Sequence, residues 1–217
     1  MQQQFVNRRG YENLTVFFAG WGMDVNPFRY FHAPESDVLL LYDYTDLGFD
    51  GRILDDYIRV RVVAWSLGVW VASALQQKFP RFADEAVAVN GTPFPVDETR
   101  GIPPMVFEGT LKGLSERTLA KFDRRMCGDK KTLAEYNSVH PARSVGSLAE
   151  ELELIWRESR SHEVVPKFIR AFVGRRDAIF PAVNQQNAWF GICPTDVVDS
   201  AHYDSALLRS LVCGGNE

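Results

Sequence analysis

Residues 60–79 read VRVVAWSLGVWVASALQQKF and decide the fold. The first five form a short apolar run with the character of a buried strand. From Leu67 the pattern changes. Val71, Leu75 and Phe79 recur every fourth residue, as on one helix face, and Pro80 ends the segment. Between strand and helix lies Ala64-Trp65-Ser66-Leu67-Gly68, a serine with a small residue two positions away on each side. On a sharp strand-to-helix turn, a serine projects its Oγ from the C-terminal edge of a sheet. The helix behind it aims its N–H groups and positive dipole end at the same point. Small residues at 64 and 68 permit the close approach such a turn requires. The plainer alternative is a serine that caps the helix.

The neighbouring sequence repeats this grammar. Residues 14–19 (LTVFFA) form an apolar run that stops at Gly20, and residues 38–42 (VLLLY) form another that stops at Asp43. Residues 85–89 (EAVAV) return to strand character before Asn90-Gly91, and residues 168–173 (FIRAFV) do so again. A helix is expected near 182–189, a short strand near 195–198 and a last helix over about 204–211. Strands apolar on both faces, alternating with helices, indicate a mostly parallel sheet covered by helices on both sides. Residues 102–163 differ in texture. Charges are dense and no strand-like run occurs. Leu111, Leu114, Leu119 and Phe122, then Leu148, Leu152, Ile155 and Trp156, fall at helical spacings. This segment is expected to be a helical insertion within a single domain spanning 1–217.

The 217 residues are 46% hydrophobic and include 15 Phe and 5 Trp, which is ample for a core. A net charge of −4 argues against nucleic-acid binding driven by overall positive charge. Cys127, Cys193 and Cys213 make no CxxC pair, so neither a disulfide framework nor a zinc site is expected. There is no HExxH, and residues 109–113 (GTLKG) do not complete a phosphate-binding GxxxxGK. No metal or cofactor is expected. The N-terminus lacks the pattern of a signal peptide and no run is long enough to span a membrane, so a cytoplasmic protein is expected.

A serine hydroxyl needs a base to become a good nucleophile, and the base needs an orienting carboxylate. Of the four histidines, His32 precedes the serine, His140 lies inside the insertion, and His162 precedes the penultimate strand. His202 alone follows the last expected strand. The acid belongs after the preceding strand, where Gly174-Arg175-Arg176-Asp177 offers Asp177. Asp199 and Asp204 are rival acids, but they stand very near His202 in sequence. The loop after the first core strand, Ala19-Gly20-Trp21-Gly22-Met23-Asp24, can turn tightly and leave the Trp21 N–H facing inward. The Leu67 N–H is its expected partner around an oxyanion. The alternative for this loop is a glycine-rich turn around a packed Trp.

These segments, together with Ala201-His202-Tyr203, resemble the α/β-hydrolase esterases of biotin synthesis. The resemblance is to the BioG-type pimeloyl-[acyl-carrier-protein] methyl ester esterases. The related BioH type is longer and has His and Gly where this chain has Ala19 and Ala64. The resemblance spans about residues 14–204 and is weakest in the insertion, which it implies is a lid. It implies an α/β-hydrolase fold and hydrolysis of the methyl ester of pimeloyl carried on acyl carrier protein. Ser66, Asp177 and His202 would be catalytic. From the charge balance and the absence of a long apolar run, neither nucleic acid nor membrane is expected as a partner.

Residues 105–131 hold seven basic and four acidic residues in a chain of net charge −4. Arg117, Lys121, Arg124 and Arg125 would share one helix face. Because acyl carrier protein is acidic, that face is a candidate docking surface. A solvated face with internal salt bridges, Asp123 with a neighbouring Lys or Arg, is the plainer reading. The triad does not encode the leaving group. A thioesterase, a short-acyl esterase of other specificity and a non-catalytic binding scaffold therefore stand as alternatives.

Overall fold

The computed structural model describes residues 1–161 and 164–214. The chain begins with β1 (Gln2–Asn7), β2 (Asn13–Phe18), β3 (Asp37–Tyr42) and β4 (Arg59–Trp65), followed by α1 (Gly68–Gln76) and β5 (Ala86–Val89). Four helices come next: α2 (Pro104–Lys112), α3 (Glu116–Cys127), α4 (Lys130–Ser138) and α5 (Val145–Ser161). The chain closes with β6 (Arg170–Gly174), α6 (Ala182–Trp189), β7 (Thr195–Val198) and α7 (Ser205–Cys213). The seven strands form one sheet in the order β1-β3-β2-β4-β5-β6-β7, antiparallel only at β1–β3. The expected parallel core is therefore present, with an edge strand the apolar pattern did not announce.

The reason lies in β1 itself. Its sequence is QQQFVN, and its side chains are exposed or only half-buried until Asn7. An edge strand pairs along one side only and need not be apolar on both faces. The central strands are the opposite case. Phe17, Phe18, Leu39, Leu40, Val62 and Val63 are buried, and Trp65 and Trp70 pack among them.

β3 lies on one side of β2 and β4 on the other, so the order in which strands are added reverses there, and the crevice at the C-terminal ends of β2 and β4 is a switch point where such sheets bind ligands. The β2–β4 register pairs Phe18 with Ala64, which sets the loop after β2 directly beside the turn after β4. Four helices fill the stretch expected to be helical. Ser115 caps α3 in a reciprocal box with Thr118, and the Asp129 side chain caps α4. His162, and the far boundary of the insertion at 163, lie outside the described residues. Among the described residues no helix is long and apolar enough to cross a membrane.

Candidate active site

Ser66 lies in the turn between β4 and α1 with φ of 59°, a left-handed conformation unfavourable for a non-glycine residue. The turn is held by Ser66 N–H donating to Val89 O at 3.0 Å and Val69 N–H donating to Ser66 O at 3.1 Å. The need for glycine at 68 is met differently from expectation. A Cβ there would stand 2.4 Å from Ala19 O and 2.6 Å from Phe18 O. It is the carbonyls at the end of β2, rather than Ala64, that exclude a side chain. Ala64 is buried in β4 without conflict.

Ser66 Oγ and His202 Nε2 are 2.8 Å apart, and His202 Nδ1 is 2.8 Å from Asp177 Oδ2. All three residues are buried. His202 arrives on the loop after β7, and Asp177 on the loop after β6. The rival acids are engaged elsewhere. Asp199 pairs with Arg176 at 3.0 Å, and Asp204 accepts from Leu207 N–H at the start of α7. A hydroxyl, an imidazole and a carboxylate connected in this order can pass a proton from oxygen to nitrogen while the carboxylate supports the cation formed.

Several supporting groups escaped sequence reasoning. Asp177 Oδ1 accepts from the backbone N–H groups of Ile179 and Phe180, and its Oδ2 accepts from Gln185 Nε2 on α6 at 2.9 Å. Every lone-pair direction that matters is thereby fixed. The Asn90 amide donates to Ala201 O and His202 O and accepts from Gly174 N–H, joining the loops that carry acid and base. Trp65 Nε1 also donates to His202 O. Asn90-Gly91 was visible as a strand end. Nothing local marked Gln185.

The backbone N–H groups of Trp21 and Leu67 have no hydrogen-bond partner among the described residues. Both residues line a cavity of about 40 Å³ that also contains Ser66 and His202. The inserted helices roof this cavity with Val106, Phe107, Phe122, Met126 and Leu152, so its walls are mainly apolar. Through Val106, Thr110 and Phe122 it adjoins a groove of about 290 Å³ between α2 and α3.

The basic residues of α3 have different surroundings. Arg117, Lys121 and Arg124 are exposed. Arg125 is exposed as well, but it also lines the cavity and donates from Nη2 to Ala178 O at 2.7 Å, beside the acid loop. Asp123 takes no Lys or Arg. It is buried and faces His140 Nε2 at 3.1 Å, and burial raises its carboxyl above the ordinary range while His140 opposes this. Burial pushes the Cys127 thiol up to about 12, which leaves it unreactive near neutral pH. No cluster of potential metal ligands occurs among the described residues.

A family model described as "Pimeloyl-ACP methyl esterase BioG" matches residues 1–209. The crystal structure of BioG from Haemophilus influenzae superposes with a TM-score of 0.88 at 35% identity, covering 98% of this chain and 100% of that one. An esterase from Exiguobacterium antarcticum shares the fold alone, with a TM-score of 0.70 at 12% identity over 97% and 94% of the two chains. A Bacteroides fragilis protein named malonyl-[acyl-carrier protein] O-methyltransferase is 44% identical over 91% of this chain, which spans only 41% of its length. The α/β-hydrolase sheet and the near full-length match of family model and crystal structure agree, and this chain belongs to the BioG family of pimeloyl-ACP methyl esterases.

Proposed function

We propose that the protein is a cytoplasmic serine esterase that hydrolyses the methyl ester of pimeloyl carried on acyl carrier protein, in biotin precursor synthesis. The observation that carries this reading is the unbroken hydrogen-bond chain Ser66–His202–Asp177, opening into an apolar cavity in a chain of this family. Ser66 Oγ attacks the ester carbonyl carbon while His202 Nε2 takes its proton. Asp177 holds the imidazole with Nδ1–H toward it and stabilises the imidazolium. The negative charge on the carbonyl oxygen falls to the N–H groups of Trp21 and Leu67. Collapse expels the methoxy group, which receives the proton from His202 and leaves as methanol. Water then gives its proton to His202, attacks the acyl-enzyme and frees the ω-carboxylate, returning the proton to Ser66. No step needs a cofactor.

A methyl ester on a carrier-bound diacid is what a methyltransferase of the kind named for the Bacteroides protein would make. It is also what this site would cleave, which supports methoxide as the leaving group. The exposed Arg117, Lys121 and Arg124 on the roof support docking of an acidic carrier.

The test uses methyl-pimeloyl carrier protein with wild type and Ser66→Ala. Wild type should release methanol, leave the thioester to the carrier intact and be labelled by a fluorophosphonate. Ser66→Ala should remain folded, lose labelling and lose about three or more orders of magnitude in rate. Cleavage of the thioester in place of the ester would make the protein a thioesterase. Near-normal turnover by Ser66→Ala would remove the serine mechanism altogether.

A further inference from the structure

The loop after β2 is a turn in which Met23 N–H donates to Gly20 O at 3.4 Å and Gly22 has φ of 78°. Positive φ at the third position belongs to a type II turn, whose central peptide is flipped relative to type I. The Gly20–Trp21 peptide is trans, so its N–H points opposite to its C=O. With Gly20 O facing Met23 N–H, the Trp21 N–H faces away from the turn interior. It can serve an oxyanion only while both sides of Trp21 are held.

They are held from α5. Trp21 Nε1 donates to Leu148 O at 2.9 Å, and Gly22 N–H, the N–H of the central peptide, donates to Glu151 Oε2 at 3.3 Å. Glu151 is wholly buried, and the same Oε2 accepts from Arg143 Nη1 at 2.6 Å. Arg143 in turn donates to Asp43 Oδ1 at 2.7 Å and to Ser147 Oγ at 2.5 Å. Just ahead of it, Ala142 N–H donates to Asp24 Oδ2 at 2.7 Å. A buried ion pair is seldom a better source of stability than apolar residues of the same shape. Apolar residues could not, however, accept from Gly22 N–H. The proposed chemistry makes no direct use of Glu151 or Arg143, and sequence reasoning passed over both.

We infer that Glu151, fixed by Arg143, is the positioning residue of the oxyanion hole, so that the helix roofing the cavity also sets the catalytic loop beneath it. This rests on the esterase reading above. Loss of the acceptor removes one of the two ties from α5 to this loop, so the turn that carries Trp21 N–H is free to shift and the donor to move out of line. A displaced donor weakens stabilisation of the tetrahedral state and leaves ground-state binding largely alone.

Two variants separate positioning from folding. Glu151→Gln keeps an oxygen that can accept from Gly22 N–H. The double variant Glu151→Leu/Arg143→Leu removes the acceptor without orphaning a buried charge. Each is measured for kcat and KM on a small aryl ester and for affinity to a boronic acid, which forms a tetrahedral adduct on an activated serine. The double variant should lose about 10- to 100-fold in kcat, less than the loss of a whole oxyanion donor. Its KM should stay within about twofold, and boronate affinity should fall in step with kcat. Glu151→Gln should stay within about threefold of wild type throughout. A folded double variant with near-normal kcat overturns the inference, as does unchanged boronate affinity alongside a reduced kcat, or a Gln variant as impaired as the double. Should the double variant not fold, Glu151→Met is judged by the same readouts. Wild type that neither hydrolyses the ester nor binds the boronate would sink the esterase reading itself, and this inference with it.

Discussion

Asp177 shows how tightly one residue can be specified. Its Oδ1 accepts two backbone N–H groups, while its Oδ2 accepts from His202 Nδ1 and Gln185 Nε2. An asparagine could keep its oxygen on the backbone donors only by turning its NH2 toward two other donors. The imidazole would then rotate or change tautomer, and Nε2 would carry a proton when Ser66 needs a base. Asp177→Asn should therefore cost about three to four orders of magnitude in kcat/KM. Asp199→Asn, which loses only an exposed pair with Arg176, should cost less than about twofold in activity and under about 1 kcal/mol in stability. Steady-state kinetics and thermal melts of the two variants check this, and the reverse ranking would move the acid to position 199. Order along the chain alone singles out Ser66, Asp177 and His202, because each follows an expected strand, although the short TDVV strand before His202 is only weakly apolar. Gln185 and Asn90 carry no such mark. Asn90 bonds to groups 84 to 112 residues away, so its role exists only once the sheet has formed.

Helix α3 turns two different faces to two different tasks. Phe122 and Met126 look into the cavity, and Phe122 meets the Trp21 ring edge-on at 5.0 Å. Arg117, Lys121 and Arg124 face water. Arg117→Glu/Arg124→Glu should raise the KM for carrier-bound ester several-fold and weaken its dependence on salt, because both arise from steering of an acidic partner. Hydrolysis of a small free ester should hardly change. Arg125→Ala should instead impair both substrates, since this side chain lines the same cavity as Ser66 and supports the acid loop through Ala178 O. Kinetics on the two substrates at low and high salt separate these patterns, and equal losses from both variants would end the distinction. Helical spacing alone marks the insertion as helical. It could not say that Arg125, exposed like its neighbours, also lines the cavity, because residues about 100° apart on a helical wheel, such as Arg124 and Arg125, can lie on either side of a cavity rim. For β1 the failure was of signal, since a polar edge strand carries no apolar run.

Across the whole molecule, the insertion and the sheet are joined by charges that neither could bury alone. Glu151 on α5, Arg143 before it and Asp43 at the end of β3 meet beneath the loop that bears Trp21. No periodicity or motif marks such a network, because Asp43 and Arg143 lie 100 residues apart and each member looks by itself like a solvated charge. The network should nonetheless leave a trace in stability. Burial pushes the Glu151 carboxyl from its ordinary 4.5 up to about 7, against the pull of Arg143 and the hydrogen bonds it accepts. Between those two pH values the folded chain holds a proton that the unfolded chain has released. Stability must therefore fall as pH rises through this window and level off above it. A tenfold change in proton affinity corresponds to about 1.4 kcal/mol, so the whole window contributes on the order of 3 kcal/mol. Glu151→Gln cannot titrate and lacks this slope. Melting wild type and Glu151→Gln side by side from pH 5 to pH 8 should show the variant gaining on wild type up to about pH 7, then a constant difference. A difference in Tm that stays flat across that range would mean the Arg143 pair keeps Glu151 ionised throughout. The carboxylate would then join insertion to sheet at every pH in the range.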